Sequence, residues 1–246
     1  LAHGNLGVSF RQKKDVAELI ASRLPPTLLL MLTGEVAGIL IGTVMGIVAA
    51  WKARSWIDAG SLGIGLTLFA LPAFWLGIVL LILARGVLPA GGYVTIGAQF
   101  DSTLERWLDI AKHLVLPATT MALLLFGAYM LVVRNSTLEV LAEDYILTAK
   151  AKGFKQTSIL RSHALKNAAL PLVTIIALDL GIALGGMIQI ETIFSWPGLG
   201  RLMFDAIGQR DYPVLQGVFL LLAIGVIVAN FLADLTYVYL DPRVKA

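Results

Sequence analysis

The chain has 246 residues, of which 58% are hydrophobic and 14% charged, with a mean hydropathy of +0.83 and a formal net charge of +3. A soluble domain carries nearer a quarter charged residues, and so small a net charge makes no case for a nucleic-acid partner. The absence of cysteine excludes disulfides and thiolate metal sites and leaves the redox compartment unreadable.

The chain opens on Leu1, and its first 23 residues are polar and mixed in charge, without the pattern of a signal peptide. Apolar blocks follow at roughly 25–50, 60–84, 114–133, 168–190 and 213–238, each reaching the ~20 residues that a spanning helix needs. In hydrocarbon only helices and closed barrels satisfy their own backbone, and blocks without period-2 alternation exclude a barrel. The expected fold class is therefore all-α integral membrane, with about five spanning helices. The 24 glycines suit helices that approach one another through small residues.

The second block contains Leu71-Pro72-Ala73-Phe74-Trp75, and Pro72 is expected to kink that span. Pro117 and Pro213 fall near expected helix starts, where the missing N–H costs little. Trp51, Trp56, Trp107 and Trp196 fall near block ends, as an interfacial aromatic belt requires. Five polar residues interrupt the blocks: Glu35, Asp179, Gln189, Asn230 and Asp234. An acid at the bilayer centre costs roughly 2.5–3.5 kcal/mol on insertion scales, so these groups should face protein or water. Glu35, Asp179 and Gln189 are read either as lining a path or as interhelical polar bonds, and Asp234 as interfacial. His3, His113 and His163 are too dispersed for a metal site, and none is expected.

Basic residues in short loops mark the cytoplasmic face. The turn after the first block carries Lys52 and Arg54, and the loop after the third carries Arg134, Lys150, Lys152, Lys155, Arg161 and Lys166. The C-terminal tail adds Arg243 and Lys245. Alternation of five blocks puts all of these on one side, inside, and the N-terminal segment outside. The opposite loops hold Arg85, Arg106, Lys112, Arg201 and Arg210, and the N-terminal segment adds Arg11, Lys13, Lys14 and Arg23, which together nearly balance the count.

Residues 134–167 read as two short helices with a break. Ser136-Thr137-Leu138-Glu139 has capping-box spacing, and Leu138, Leu141, Tyr145 and Ala149 recur along one helical face. Gly153 stops that helix, since glycine enters the left-handed cap without a Cβ penalty. Thr157 or Ser158 can cap a second helix through Ile159, Leu160 and Leu165. An amphipathic pair of this kind suggests docking into another protein.

Ala149-Lys150-Ala151-Lys152-Gly153-Phe154, then His163-Ala164-Leu165-Lys166-Asn167-Ala168 and Leu170-Pro171, resemble the cytoplasmic coupling loop of ABC importer permeases. The chain is similar, more narrowly, to the B-type permease subunit of the dipeptide, oligopeptide and nickel importers. Asn5-Leu6-Gly7-Val8-Ser9-Phe10 and Arg23-Leu24-Pro25-Pro26-Thr27-Leu28 fit that resemblance, as do Phe194-Ser195-Trp196-Pro197-Gly198-Leu199-Gly200-Arg201, Arg210-Asp211-Tyr212-Pro213-Val214 and Leu240-Asp241-Pro242-Arg243. The general importer motif places Glu-Ala-Ala six to four residues before its glycine, where this chain has Leu147, Thr148 and Ala149. Glu143 and Asp144 are candidates for the replacing acid.

The resemblance implies a type I importer fold with a further first helix upstream of Leu1. It divides the chain into an external segment at 1–23, a transmembrane domain at 24–240 with its coupling loop at 134–167, and a cytoplasmic tail at 241–246. It implies a multi-pass protein of the bacterial or archaeal inner membrane, pairing with a homologous second permease above two cytoplasmic ATPase subunits and served by an extracytoplasmic binding protein. Tyr145, Ala149, Lys150, Ala151, Lys152, Gly153 and Phe154 would dock on an ATPase. Trp196, Pro197, Gly198 and Arg201, in the outside loop 191–212, would contact the binding protein or form an external gate, or that loop rests on the bilayer. The chain has no G-x-x-x-x-G-K-[ST] phosphate loop, so it is expected not to be an enzyme and to hold no cofactor, with ATP and Mg bound by the partner subunits. Di- and oligopeptides are the implied cargo, with nickel chelates or glutathione as alternatives. The rival class is a proton-coupled secondary transporter in which Glu35 and Asp179 carry the protons.

Overall fold

A computed structural model of the chain describes residues 6–154, 171–173, 175, 176, 179 and 187–240. Seven helices carry labels here: α1 (Val16–Trp51), α2 (Trp56–Ala70), α3 (Ala73–Leu83), α4 (Thr103–Leu141), α5 (Asp144–Ala151), α6 (Leu199–Gln209) and α7 (Tyr212–Leu240). A further helical stretch covers residues 187–193. Among the described residues extended pairing is limited to one isolated bridge, Val8 with Asp15.

The helices follow the apolar blocks but overrun them. α1 has 36 residues, about 54 Å at 1.5 Å per residue, well beyond the ~30 Å of a hydrocarbon core. Its start lies at Val16, inside the segment expected to be external, because Asp15 caps it: Oδ1 accepts the Ala17 N–H at 2.8 Å. Pro25 and Pro26 sit within it. α1, α4 and the Tyr212–Leu232 part of α7 are each long and apolar enough to cross a membrane, and α2 with α3 qualify only as a broken pair. The fourth block, 168–190, lies mostly outside the described residues, as does the second loop helix of Thr157, Ser158, Ile159, Leu160 and Leu165.

Two expectations are corrected here and one is sharpened. The chain does bend at Pro72, but by a full break of 108° between α2 and α3, with Leu71 (φ −73°, ψ 138°) and Pro72 (φ −62°, ψ 134°) both extended. Proline disfavours helical backbone in the residue before it, so two residues leave the helix together. Pro117 is not near a helix start but deep inside α4. Ser136 caps nothing, because α4 runs unbroken to Leu141 and buries Ser136 and Thr137 in its interior.

The exposed side of these helices is apolar. On α1, Leu28, Leu32, Val36, Leu40, Val44 and Val48 recur every four residues and are all exposed, and α7 exposes Phe219, Ile224, Ile227, Val228 and Phe231. A helix apolar all round belongs in a core or a membrane, and a stripe left uncovered identifies the membrane. Trp51, Trp56 and Trp107 are exposed near helix ends, as expected of a belt, whereas Trp196 is completely buried and cannot belong to one.

The chain packs as two compact units. The first draws its described residues from Leu1–Glu35, Pro72–Met121 and Leu180–Ala229, with a core of Val16, Leu19 and Ile20 against Leu199, Leu202, Met203, Ala206, Val214 and Val218. The second draws on Val36–Leu71, Ala122–Asp179 and Asn230–Ala246, with Tyr129, Val133 and Leu172 at its centre.

In the second unit the backbones come close enough to exclude a methyl group. A Cβ at Gly42 would lie 2.6 Å from Tyr129 Cβ, and one at Gly46 would lie 2.7 Å from the Met130 carbonyl oxygen. A Cβ at Gly127 would run into the carbonyl oxygen of Gly65, which is backbone and cannot rotate away. Gly127→Ala should therefore destabilise the protein by about 1–3 kcal/mol, the usual range for overpacking. Gly63→Ala, where nothing lies within 4 Å, should be tolerated. Thermal unfolding of the two variants in detergent checks this, and equal midpoints would contradict the packing.

Candidate functional site

The loop element survives in altered form. α4 ends at Leu141, and the two linking residues are themselves held, with Ala142 N–H donating to Glu139 O at 3.0 Å and Glu143 N–H to Val140 O at 3.2 Å. α5 then folds back so that Ile146, fully buried, and Ala149 pack with Leu141. Tyr145, expected on that face, is exposed instead, because the break at Ala142 and Glu143 interrupts the helical periodicity and puts Ile146 on the face with Ala149. Gly153 has φ +80°, and the Phe154 N–H returns to Ala149 O at 3.2 Å, the six-to-one bond of a glycine-terminated helix. Ala151, Lys152, Gly153 and Phe154 are exposed at this end. Lys150 lies within α5, and its side chain is outside the described residues. Glu143 and Asp144 are both exposed.

Near the same end of α4, Arg134 grips Asp58 with two parallel bonds, Nε to Oδ1 at 2.6 Å and Nη2 to Oδ2 at 2.8 Å. Asp58 is 3% exposed and also accepts the Arg54 backbone N–H at 2.9 Å. Ser55 is the N-cap of α2, its hydroxyl accepting the Asp58 N–H. Sequence reasoning missed this pair, although Ser55 and Asp58 stand at capping-box spacing. Only the partner, 76 residues away, has no local signal.

In the first unit, the Trp196-Pro197-Gly198 turn is organised around a buried carboxylate. α6 starts after Gly198, which has no side chain to cap it. Glu191, completely buried, supplies the missing acceptor. Its Oε2 takes the Arg201 N–H at 3.0 Å, and the Gly200 N–H also donates to the carboxylate. The Thr27 hydroxyl donates to Oε1 at 2.7 Å and accepts the Leu199 N–H at 2.8 Å. Three orphan N–H groups of one helix start are thereby satisfied, next to the positive end of its dipole. A Cβ at Gly198 would collide with the Glu191 carboxyl, so the glycine is there to admit the acid. Trp196 donates its indole N–H to Pro26 O at 2.9 Å and meets Tyr93 edge-on at 5.0 Å.

Trp196 and Gly198 are buried within the chain, and Pro197 and Arg201 are half-buried. These residues build the turn, and the surface nearby is made by Phe204, Ile207, Gln209 and Arg210. Replacing Glu191 with Ala should strand buried donors at a cost of about 1–3 kcal/mol, read as a lower unfolding midpoint, whereas an unchanged midpoint would show that α6 starts independently of the acid.

Asp211 repeats the device at the next helix. Its carboxylate accepts the Ser9 hydroxyl and the backbone N–H groups of Phe10 (3.1 Å) and Arg11 (3.2 Å), and the Val214 N–H in the first turn of α7. Burial pushes the Asp211 carboxyl up, but the Ser9 hydroxyl and the three N–H groups outweigh it and hold it below the ordinary carboxylate range. A depressed folded-state value means that the stabilisation is complete above the unfolded value of about 3.9. It is lost as pH falls through the lower folded value. Hydrogen exchange of residues 8–14 should therefore stay protected at neutral pH and open only below about pH 4. In an Asp211→Ala variant it should be fast throughout. Protection that is independent of both pH and the variant would contradict the assignment.

Of the polar span residues, Glu35 is buried. Asp179 is half-buried and receives a hydrogen bond from the Tyr129 hydroxyl. Gln189 is exposed and lines a cleft of about 300 Å³ with Phe74, Ile188, Thr192, Ile193 and Phe204. Asn230 is exposed on α7, and the Asp234 side chain lies outside the described residues. His113 is buried with Nδ1 2.9 Å from Asp109 O, one turn earlier in α4, so helix and core absorb it. His3 and His163 lie outside the described residues.

Comparison with known proteins agrees with this architecture. Residues 42–246 match the family described as "Binding-protein-dependent transport system inner membrane component". The chain is 41% identical to a dipeptide transport system permease protein of Alkalihalophilus pseudofirmus, over all of this chain and 78% of the relative. It is 38% identical to an oligopeptide transport system permease protein of Bacillus subtilis, over all of this chain and 77% of the relative. The dipeptide transport system permease protein of Escherichia coli K12 is 37% identical, over 99% of this chain and 77% of that relative. Among solved structures, an inward-facing MetNI methionine ABC transporter superposes with a TM-score of 0.71 at 18% identity, covering 92% of this chain and 97% of its own. The fold is accordingly that of a type I ABC importer transmembrane subunit. The chain belongs to the binding-protein-dependent transport system inner membrane components, as a multi-pass protein of the inner membrane.

Proposed function

We propose that this chain forms half of the translocation path of an ATP-driven importer of dipeptides and oligopeptides. The observation that carries this reading is the 37–41% identity, sustained over essentially the whole chain, to permeases named for those two cargoes. A homologous second permease completes the path, two cytoplasmic ATPase subunits bind ATP and Mg and do the hydrolysis, and an extracytoplasmic binding protein delivers the cargo. The absence of a phosphate loop from the sequence supports assigning the ATP chemistry to partners. Gln189 and its apolar cleft supply a path lining. Asp179 serves as an interhelical bond to Tyr129.

Coupling runs through the short helix α5. Motion imposed from outside is transmitted only by an element with defined positions, and α5 has the means to be one. It is seated on Leu141 by Ile146 and Ala149, joined to α4 by a hydrogen-bonded link and closed by Gly153. Its exposed end, with Lys152, Gly153 and Phe154, docks on the ATPase from the cytoplasmic side. The N-terminal segment then lies outside.

A Gly153→Val variant isolates this function, because among the described residues nothing lies within 4 Å of the missing Cβ. The whole effect is the strain of about 1–3 kcal/mol on a left-handed backbone, confined to the end of α5. In vesicles containing the complete importer, uptake of a radiolabelled dipeptide should fall at least tenfold while the amount of inserted chain is unchanged. Normal ATP-dependent uptake by the variant would sink the coupling role. Proton-driven uptake by the wild-type chain alone, indifferent to ATP, would sink the importer reading itself.

A further inference from the structure

The Asp58–Arg134 pair is costly to place and has no part in the site described above beyond being near it. Two ionised groups lose their hydration on burial, and for that reason a buried pair gives little net stability compared with well-packed apolar residues. What a bidentate guanidinium–carboxylate contact does supply is direction, because both N–H···O bonds hold only at one relative angle. Here it fixes that angle between the first turn of α2 and the last two turns of α4.

Everything around the pair is held as well. The turn from α1 to α2 is closed by Lys52 N–H to Val48 O (2.9 Å), Ala53 N–H to Ala50 O (3.3 Å) and Ser55 N–H to Lys52 O (3.0 Å). Asp58 reaches back to the Arg54 N–H within that turn. On the α1 side, a Cβ at Gly46 would meet the Arg134 backbone nitrogen at 3.1 Å, so α1 packs directly on the turn of α4 that bears the arginine. Seven residues further on, at Leu141, α4 ends where α5 is seated. α5, the end of α4, Arg134, Asp58 and the start of α2 thus form an unbroken series of fixed contacts within one compact unit.

We propose that Asp58 and Arg134 are positioning residues that pass the displacement of α5 to α2, so that the ion pair is the joint between the coupling element and the first half of the broken helix pair. The proposal rests on the importer reading. It separates the fork from the charge: Arg134→Lys keeps a cation beside Asp58 but cannot hold both oxygens in one plane. It also separates transmission from folding, since a purely structural pair would affect every activity in proportion to the amount of complex recovered.

The experiment uses the complete importer, purified with its native partner subunits and binding protein and reconstituted in proteoliposomes with radiolabelled dialanine. Recovery of assembled complex, ATP hydrolysis and dialanine uptake are measured for the wild type, Arg134→Lys and Asp58→Asn. The expected result for Arg134→Lys is recovery and basal ATP hydrolysis within twofold of wild type, with dialanine taken up per ATP reduced at least fivefold. Asp58→Asn should behave likewise or more severely. An unchanged uptake per ATP in Arg134→Lys overturns the proposal, and so does a loss of recovery that accounts for all lost uptake in both variants. A wild-type complex that shows no ATP-dependent dialanine uptake fails at the first measurement and removes the importer reading with it, whereas failure of the ion-pair proposal alone appears only on substitution.

Discussion

A helix that starts where water does not reach must find acceptors for its first N–H groups inside the chain, and this requirement shapes the protein more than any other. Two helix starts, those of α6 and α7, meet it with a buried acid, while the cap of α1 is an exposed acid and that of α2 the Ser55 hydroxyl. Asp15 closes α1, Asp58 stands in the capped first turn of α2, Glu191 closes α6 from outside the helix, and Asp211 closes α7. Each acid except Asp15 is buried and satisfied by several donors, which is the condition under which a carboxylate can be withdrawn from solvent. The same groups bind distant segments: Thr27 to Leu199, Ser9 to Asp211, Arg134 to Asp58. Capping and tertiary structure are thus one set of contacts, and a helix start is held in place by whatever supplies its cap.

Close backbone packing makes those contacts possible. Gly42 and Gly46 of α1 lie against Tyr129, Met130 and Val133 of α4, and Gly65 against Gly127. In a bilayer, association of helices depends on such van der Waals contact, since lipid is as apolar as leucine. Helices packed this tightly shift as rigid pieces between discrete arrangements, which is what the proposed coupling through α5 requires. A two-residue link seats α5 against the end of α4, and Gly153 closes it.

Much of this was legible in the sequence. Apolar blocks set the helices because hydrophobic length is a local property, and Gly153 set the end of α5 because a left-handed cap selects glycine locally. Ser136 misled because capping-box spacing also occurs by chance inside a continuous helix, and α4 buries it. Trp196 misled because a tryptophan near a block end suits either a membrane interface or a core, and only the Pro26 carbonyl and the Tyr93 ring distinguish the two. The pairs Thr27–Glu191, Ser9–Asp211 and Asp58–Arg134 join residues 164, 202 and 76 positions apart, and no periodicity carries that information. Gly198 shows what was missing: the glycine was visible, but its reason, a carboxylate from seven residues earlier, was not.

The central claim is that the α5 end faces the cytoplasm and moves with an ATPase. The chain contains no cysteine, so a single one at Phe154, which is exposed, gives an unambiguous probe. In membranes holding the complete importer, Phe154→Cys should cross-link to the ATPase subunit, with a yield that changes when ATP is added. Failure to cross-link, together with labelling of the same cysteine by an impermeant thiol reagent applied from outside, would contradict the account.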